Sequence, residues 1–221
     1  MLAAKRPDIQ IVGDEVHPLL KVTDFAPYIA KIKASGADTV LTGNWGQDIA
    51  LLLKAAADAG LQVNWYTYYA GGAGGPTAMK QSGLADHVFT IIEWDSNHEP
   101  AESAKLETEF RDKFGIGFWY PRVVNELRML GLAIREAKSE DVKAIAAKLD
   151  AMKTTGFDGG EIWMRPEDHQ LFQNMYVFSF GPKTPDVKYD EEKTGWGWKT
   201  IGKIDAKDTL VPTTCKMDRP S

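Results

Sequence analysis

A single cysteine, Cys215, among 221 residues leaves no partner for an internal disulfide and excludes a cysteine-based metal cluster within the chain. The four histidines, His17, His87, His98 and His169, stand singly, without i, i+4 pairing, so no metal site is expected and His169 in PEDHQ reads as a turn residue. No apolar run approaches the roughly 18 residues of a membrane span. Charge of one sign is also scarce: 26 Lys and Arg against 31 Asp and Glu give a net charge of -5, spread along the chain. That balance predicts neither a nucleic-acid face nor a polybasic membrane patch. Met1 to Pro7 places charge and proline where the apolar region of a signal peptide would stand. Such a chain is either cytoplasmic or exported by a signal outside these residues.

Motifs of catalysis are equally scarce. The run AGGAGG (Ala70 to Gly75) has no lysine, serine or threonine at P-loop spacing and no G-x-G-x-x-G pattern, so no phosphate cofactor is expected. Ser82, Asp86, His87 and Glu93 lie close in sequence, but no G-x-S-x-G elbow accompanies them, and Cys215 has no local base. A hydrolase is the weakest of the functional classes, and no catalytic residue is assigned. Glu93 could bind a ligand or hold a hinge.

What is present is organised around Asp38 to Gly75. A short apolar strand, Thr39 to Leu41, stops at Thr42-Gly43; a helix with Ile49, Leu52, Leu53 and Ala56 on one stripe follows and ends at Gly60. A second strand then runs into WYTYYAGG. In a strand-helix-strand unit the residues just past each strand face one sheet edge, where open α/β folds bind ligands. That edge carries Asn44, Trp45, Tyr68 and Tyr69, a recognition surface without a charged catalytic group.

Before this unit, Ile9 to Val12 reads as a strand and Asp14 to Lys21 as a loop broken by Pro18. A helix is predicted from Thr23-Asp24, with Pro27 in its first turn, an apolar stripe of Phe25, Tyr28, Ile29 and Ile32, and Ser35-Gly36 at its end. After the unit come a short helix over Pro76 to Gly83 and a strand over Val88 to Trp94. Four strands and their helices favour a parallel sheet with right-handed crossovers. The character then changes. Asp95 to Glu102 is polar, and three helical patterns follow on the stripes Leu106, Phe110, Phe114; Val123, Leu127, Leu130, Ile134; and Val142, Ile145, Leu149. Strand signals return at Glu161 to Met164 and Met175 to Phe180, and Trp196 and Trp198 alternate as in an edge strand.

The segments DTVLTGNWGQDIALLLKAAADAGL, YTYYAGG, VFTIIEW and GEIWMRPEDHQLFQNMYVF, in this order, resemble the type I periplasmic binding proteins of branched-chain amino acid ABC transporters, the leucine/isoleucine/valine-binding protein family. The resemblance implies two α/β lobes with a ligand between them and no cofactor or metal. It implies that residues 1–94 build the second lobe around a parallel sheet flanked by helices. Residues 95–172 would be a helical segment of the first lobe, and 173–221 the return to the second lobe with the tail. The first segment of the amino-terminal lobe has no counterpart, so the helices would expose an apolar face open to oligomerisation. It further implies capture of a small amino-acid-like, amide or aromatic ligand by hinge closure, a membrane permease as partner and a periplasmic location. A ligand-sensing regulatory domain of the amide-sensor type is the alternative. Carried over by position, the ligand contacts are Asn44, Trp45, Tyr68, Tyr69 and, near the hinge, Tyr120. Tyr69 stands where amino acid binders of the family place a carboxylate for the ligand's ammonium. With half a site, the chain is expected to bind ligand weakly or not at all alone.

Overall fold

The computed structural model describes residues 2–72, 74–98 and 101–217, the side chains of 3, 101 and 102 excepted. After a short helix α1 (Leu2–Lys5), helix α2 (Ala26–Ser35) leads into β1 (Thr39–Thr42), α3 (Gly46–Asp58), β2 (Asn64–Thr67), α4 (Gly75–Ser82) and β3 (Val88–Ile92). The local chemistry explains each boundary. Asp24 Oδ1 accepts from the Ala26 N–H at 2.8 Å, and Gly36, Gly60 and Gly83 take positive φ where the three helices end, a conformation that costs glycine little. β1, β2 and β3 pair in parallel with Thr42 beside Thr67 and Thr67 beside Thr90. Their carboxyl ends therefore open on one edge. Phe25 just before α2, Ile29 of α2, Ile49 and Leu53 of α3 and Met79 of α4 are buried with Trp65, Val88 and Ile92 of the strands in one core. Truncating such a residue, Leu53→Ala for example, would cost roughly 2–5 kcal/mol.

Ile9 to Val12 does not form the predicted strand. The segment runs without regular structure, exposing Ile9, Ile11 and Val12. A β-branched run supplies propensity, but a strand also needs a ladder partner, and β1, at the sheet edge, pairs only with β2 among the described residues. The parallel part of the sheet thus has three strands where four were expected. It is extended by β7 (Met175–Pro182), antiparallel to β3, and by β8 (Trp196–Ile204), antiparallel to β7 at the far edge. The sheet is mixed, in the order β1-β2-β3-β7-β8. Trp196 and Trp198 lie on its edge strand as expected.

Between β3 and β7 the chain forms α5 (Ala101–Phe114), α6 (Pro121–Ala137), α7 (Val142–Leu149) and a second sheet of β4 (Lys153–Thr155), β5 (Glu161–Met164) and β6 (Leu171–Phe172). A separate small core of Met129, Ala133, Met152 and Ile162 lies here. α6 buries Asn125, Met129 and Ala133, whereas the expected stripe of Val123, Leu127, Leu130 and Ile134 is exposed, Leu127 to 63%. Asn125 is satisfied inside: its Oδ1 accepts from the Phe157 N–H at 2.7 Å and its Nδ2 donates to Gln173 Oε1 at 2.7 Å. Phe114 and Val142 of the other two stripes are exposed as well. No helix of the described residues is long and apolar enough to cross a membrane.

Candidate functional site

Three loops meet at the carboxyl edge of the parallel strands. The first follows β1. Thr42 Oγ1 accepts from the Asn44 N–H at 3.1 Å, and Trp45, in extended conformation, is the N-cap residue of α3. The Asn44 amide is already engaged, because its Oδ1 lies 2.8 Å from His17 Nε2, and the His17 ring packs edge-on against Phe25. The Trp45 ring, 44% exposed, has no such tie among the aromatic contacts of the described residues.

The second loop follows β2. The rings of Tyr68 and Tyr69 stand 6.3 Å apart. The glycines after them are required by close packing. A Cβ on Gly71 would fall within the Trp119 ring and one on Gly75 on the Ala70 carbonyl. Trp119 therefore inserts under the loop, itself backed by Trp198 at 5.7 Å. Glu192 fixes the loop from the other side. It accepts from the N–H groups of Gly74 (2.5 Å) and Thr77 (2.9 Å), placing a carboxylate at the amino end of α4, where the helix dipole favours it.

The third loop follows β3 and carries Glu93, only 4% exposed. Its Oε1 accepts from Arg122 Nε at 2.5 Å and its Oε2 from Arg122 Nη2 at 2.9 Å. This bidentate bond, opposed in part by burial, holds the Arg122 guanidinium above its ordinary pKa, with a smaller contribution from the nearby Tyr69 hydroxyl. The guanidinium lies 5.8 Å from the Tyr69 ring. Tyr120 is the N-cap residue of α6, and its hydroxyl points toward Gly72, 3.9 Å from where a Cβ there would lie. The structure thus brings Tyr68, Tyr69 and Tyr120 together with Arg122, and places Asn44 and Trp45 on the adjoining loop. The four rings range in exposure from 37% for Tyr69 to 49% for Tyr120.

Arg122 and Glu192 were not legible as site residues in the sequence. The only local hint for Arg122 is its place after Tyr120-Pro121, at a helix start. Glu93 is shown to be an ion-pair partner. Of the polar residues that lie close in sequence from Ser82 to Glu93, three are engaged separately: Ser82 Oγ donates to the Met79 carbonyl at 2.9 Å, His87 lies by Asn64, and Glu93 holds Arg122. His169 sits in a turn at positive φ with its Nε2 at 2.5 Å from Asp150 Oδ1. A groove of about 380 Å³ lies away from this edge, between α6 and β4, lined by Leu127, Gly131, Arg135, Thr154 and Thr155. It is open and carries none of the aromatic wall.

Behind the edge, where the chain leaves β3, a second charged group is closed off. Arg111 of α5 donates from Nε to Glu107 Oε1 at 2.5 Å and from Nη2 to Glu191 Oε1 and Ser96 Oγ, both at 2.7 Å. Gly117 packs so close that a Cβ there would sit 2.6 Å from Arg111 Nη2. Asp95 is fully buried beside them, with Oδ1 accepting from the Asn97 N–H and Oδ2 without a hydrogen-bond partner among the described residues. Burial pushes the Asp95 carboxyl well up, and pushes that of Glu191 up to about 7. The Arg111 guanidinium does not offset the desolvation of Asp95 and Glu191.

The family model described as "Periplasmic binding protein" matches residues 1–184. The Leu/Ile/Val-binding protein homolog 4 of Brucella melitensis is 31% identical over 98% of this chain and 53% of its own length. The same-named protein of Brucella abortus is likewise 31% identical. The chain spans about half the length of these curated relatives. Among solved structures, the closed form of a leucine-, isoleucine-, valine-, threonine- and alanine-binding protein from Brucella ovis superposes with a TM-score of 0.84 at 25% identity, over 99% of this chain and 57% of that one. A solute-binding protein of an ABC transporter from Rhodopseudomonas palustris, in complex with p-hydroxybenzoic acid, gives 0.71 at 20% identity over 91% and 54%, a likeness of fold. With the family model covering most of its length and its α/β architecture matched by these structures, the chain belongs to the periplasmic binding proteins.

Proposed function

We propose that this chain supplies one wall of a solute-binding cleft in the binding component of an ABC importer. The observation that carries the reading is the cluster of half-exposed rings: Trp45, Tyr68 and Tyr69 on loops that leave the same edge of the sheet, and Tyr120 at the start of α6, beside the second of those loops. Exposed rings on rigid strand ends provide contact area at low entropic cost, and the glycine loop is braced from below by Trp119 and from the side by Glu192. In this reading residues 1–94 and 173–221 form the second lobe and 95–172 belong to the first. The two separate cores, in the five-stranded sheet and beside the three-stranded one, support that division. In a relative of full length the facing wall would come from the half that this chain does not match. Closure of the two walls on a small amino-acid-like, amide or aromatic solute would then present the closed form to a membrane permease, in the periplasm. The exposed stripe of α6 would face the unmatched half or a second copy of this chain.

Isothermal titration of the chain with amino acids, amides and aromatic acids tests the reading. Weak binding, beyond the micromolar range, is expected of a single wall. Micromolar affinity would overturn the need for a facing wall, and turnover of any compound would overturn the assignment as a binding protein.

A further inference from the structure

The charges at the strand edge point to one kind of ligand head group. Four carboxyl groups at this edge are engaged or closed off. Asp48 is buried in the first turn of α3 and accepts from the Leu20 N–H at 2.9 Å. Glu192 caps α4, Glu93 is covered by Arg122, and Asp95 faces the Arg111 cluster. An ammonium group brought to this wall would find ring faces and hydroxyls but no open anion, and burying such a group without one is costly.

The cation of the edge stands differently. In the Glu93–Arg122 pair the carboxylate is inside, 4% exposed, and the guanidinium outside, its side chain 30% exposed. The pair is neutral overall, yet its dipole presents the positive end to the rings. Glu93 uses the Nε and Nη2 edge of the guanidinium. A guanidinium has five N–H donors, so the Nη1 and Nη2 end remains a fork for a second acceptor, beside the Tyr69 hydroxyl.

Resting on the solute-binding reading above, we infer that Arg122 is the polar anchor of this wall and that its ligand presents a carboxylate head on an apolar body, without a free ammonium. Glu93 is a positioning residue: it fixes the guanidinium plane and holds it against Tyr69. Tyr68, Tyr120 and Trp45 surround the apolar body.

The test is a two-dimensional amide NMR titration of the chain to millimolar concentrations of benzoate, isovalerate, benzamide, benzylamine and phenylalanine. A carboxylate probe is expected to shift the amides of Trp45, Tyr68 to Gly72 and Arg122, with benzamide at least tenfold weaker and no edge shifts from benzylamine or phenylalanine. Arg122→Gln should weaken the acid at least tenfold, and Glu93→Gln, which keeps one acceptor oxygen for Arg122 but loosens the guanidinium plane, should weaken it by less. Because Arg122→Gln alone strands the Glu93 carboxylate, the double variant Glu93→Gln/Arg122→Gln, which buries no unpaired charge, is measured beside it and should lose the acid equally. Stronger edge binding of benzylamine or phenylalanine, or indifference to Arg122→Gln, would overturn the anchor while leaving the solute-binding reading in place. Absence of edge shifts with every probe would overturn both.

Discussion

The two arginine-carboxylate groups on either side of β3's exit are built from the same chemistry and arranged for opposite purposes. Arg122 and Glu93 are paired one to one, with the guanidinium side partly exposed beside a wall of rings. Arg111 is shared by Glu107 and Glu191, lies near the fully buried Asp95, and is sealed by Gly117 and the Tyr189 ring, 4.7 Å away. The first has spare hydrogen-bonding capacity facing outward. The second has an excess of carboxyl groups facing inward. A group that is balanced and open responds to ligands; one that is unbalanced and closed responds to protons and to the loss of its single cation.

The largest effect that would break this contrast is removal of that cation. Arg111→Leu leaves Glu107 and Glu191 buried without a counter-charge and also abandons the bond from Nη1 to the Asp190 carbonyl at 2.9 Å. A loss of about 3–5 kcal/mol is expected, as for other buried ion pairs broken on one side. Chemical denaturation of the variant would measure it. A variant within about 1 kcal/mol of the parent would mean that the carboxyl groups are wetter than their burial indicates.

The next effect depends on pH and sharpens the comparison. Glu191 titrates near 7 in the fold, above its ordinary 4.5, because burial disfavours its charged form. Below both values the carboxyl is protonated in the folded and unfolded chain alike and contributes no pH dependence. Between about 4.5 and 7 the folded chain holds a proton that the unfolded chain has released, so stability falls as pH rises, by up to roughly 1.4 kcal/mol per unit. Above 7 the full penalty applies. The raised Asp95 carboxyl acts in the same direction. Glu191→Gln keeps an acceptor oxygen for Ser96 and Arg111 but removes the titration. Melting curves from pH 4.5 to 8 should therefore flatten for the variant, which should be the more stable form at pH 8; parallel curves would remove Glu191 as the source.

The unit from β1 to β3 was legible because strand alternation, helical period and glycine stops all agree there, as Ile49, Leu52, Leu53 and Ala56 show by being buried together. Ile9 to Val12 misled because propensity is local and strand pairing is not. α6 misled for a different reason: its apolar stripe faces out, and its inner face includes Asn125, whose bonds to Phe157 and Gln173 lie 32 and 48 residues away. No periodicity rule assigns an asparagine to a core. The strands β4 and β6, of three and two residues, are too short to leave a pattern. At the edge itself, the ring residues were visible from their places after the strands. Arg122 was not, because its meaning comes from Glu93, 29 positions earlier. Glu192 likewise acquires its role only when the β7–β8 connection folds over α4.

The smallest expected effect on stability concerns the open side of the comparison, and it is the one that separates recognition from packing. Trp45 follows the end of β1 but leaves 44% of itself exposed, and its backbone, rather than its ring, starts α3. Trp45→Ala should therefore change stability by no more than about 0.5–1 kcal/mol, as surface substitutions do. If the ring is part of the wall, the same change removes contact area from the ligand, and ring anchors of this kind often account for about 1–2 kcal/mol of binding, roughly a tenfold loss or more. The edge amides of the variant should then remain unshifted at the ligand concentration that half-saturates the parent, while its melting temperature stays close to the parent's. The reverse pattern, a marked loss of stability with binding intact, would make Trp45 a lid on the sheet and confine the recognition surface to Tyr68, Tyr69, Tyr120 and Arg122.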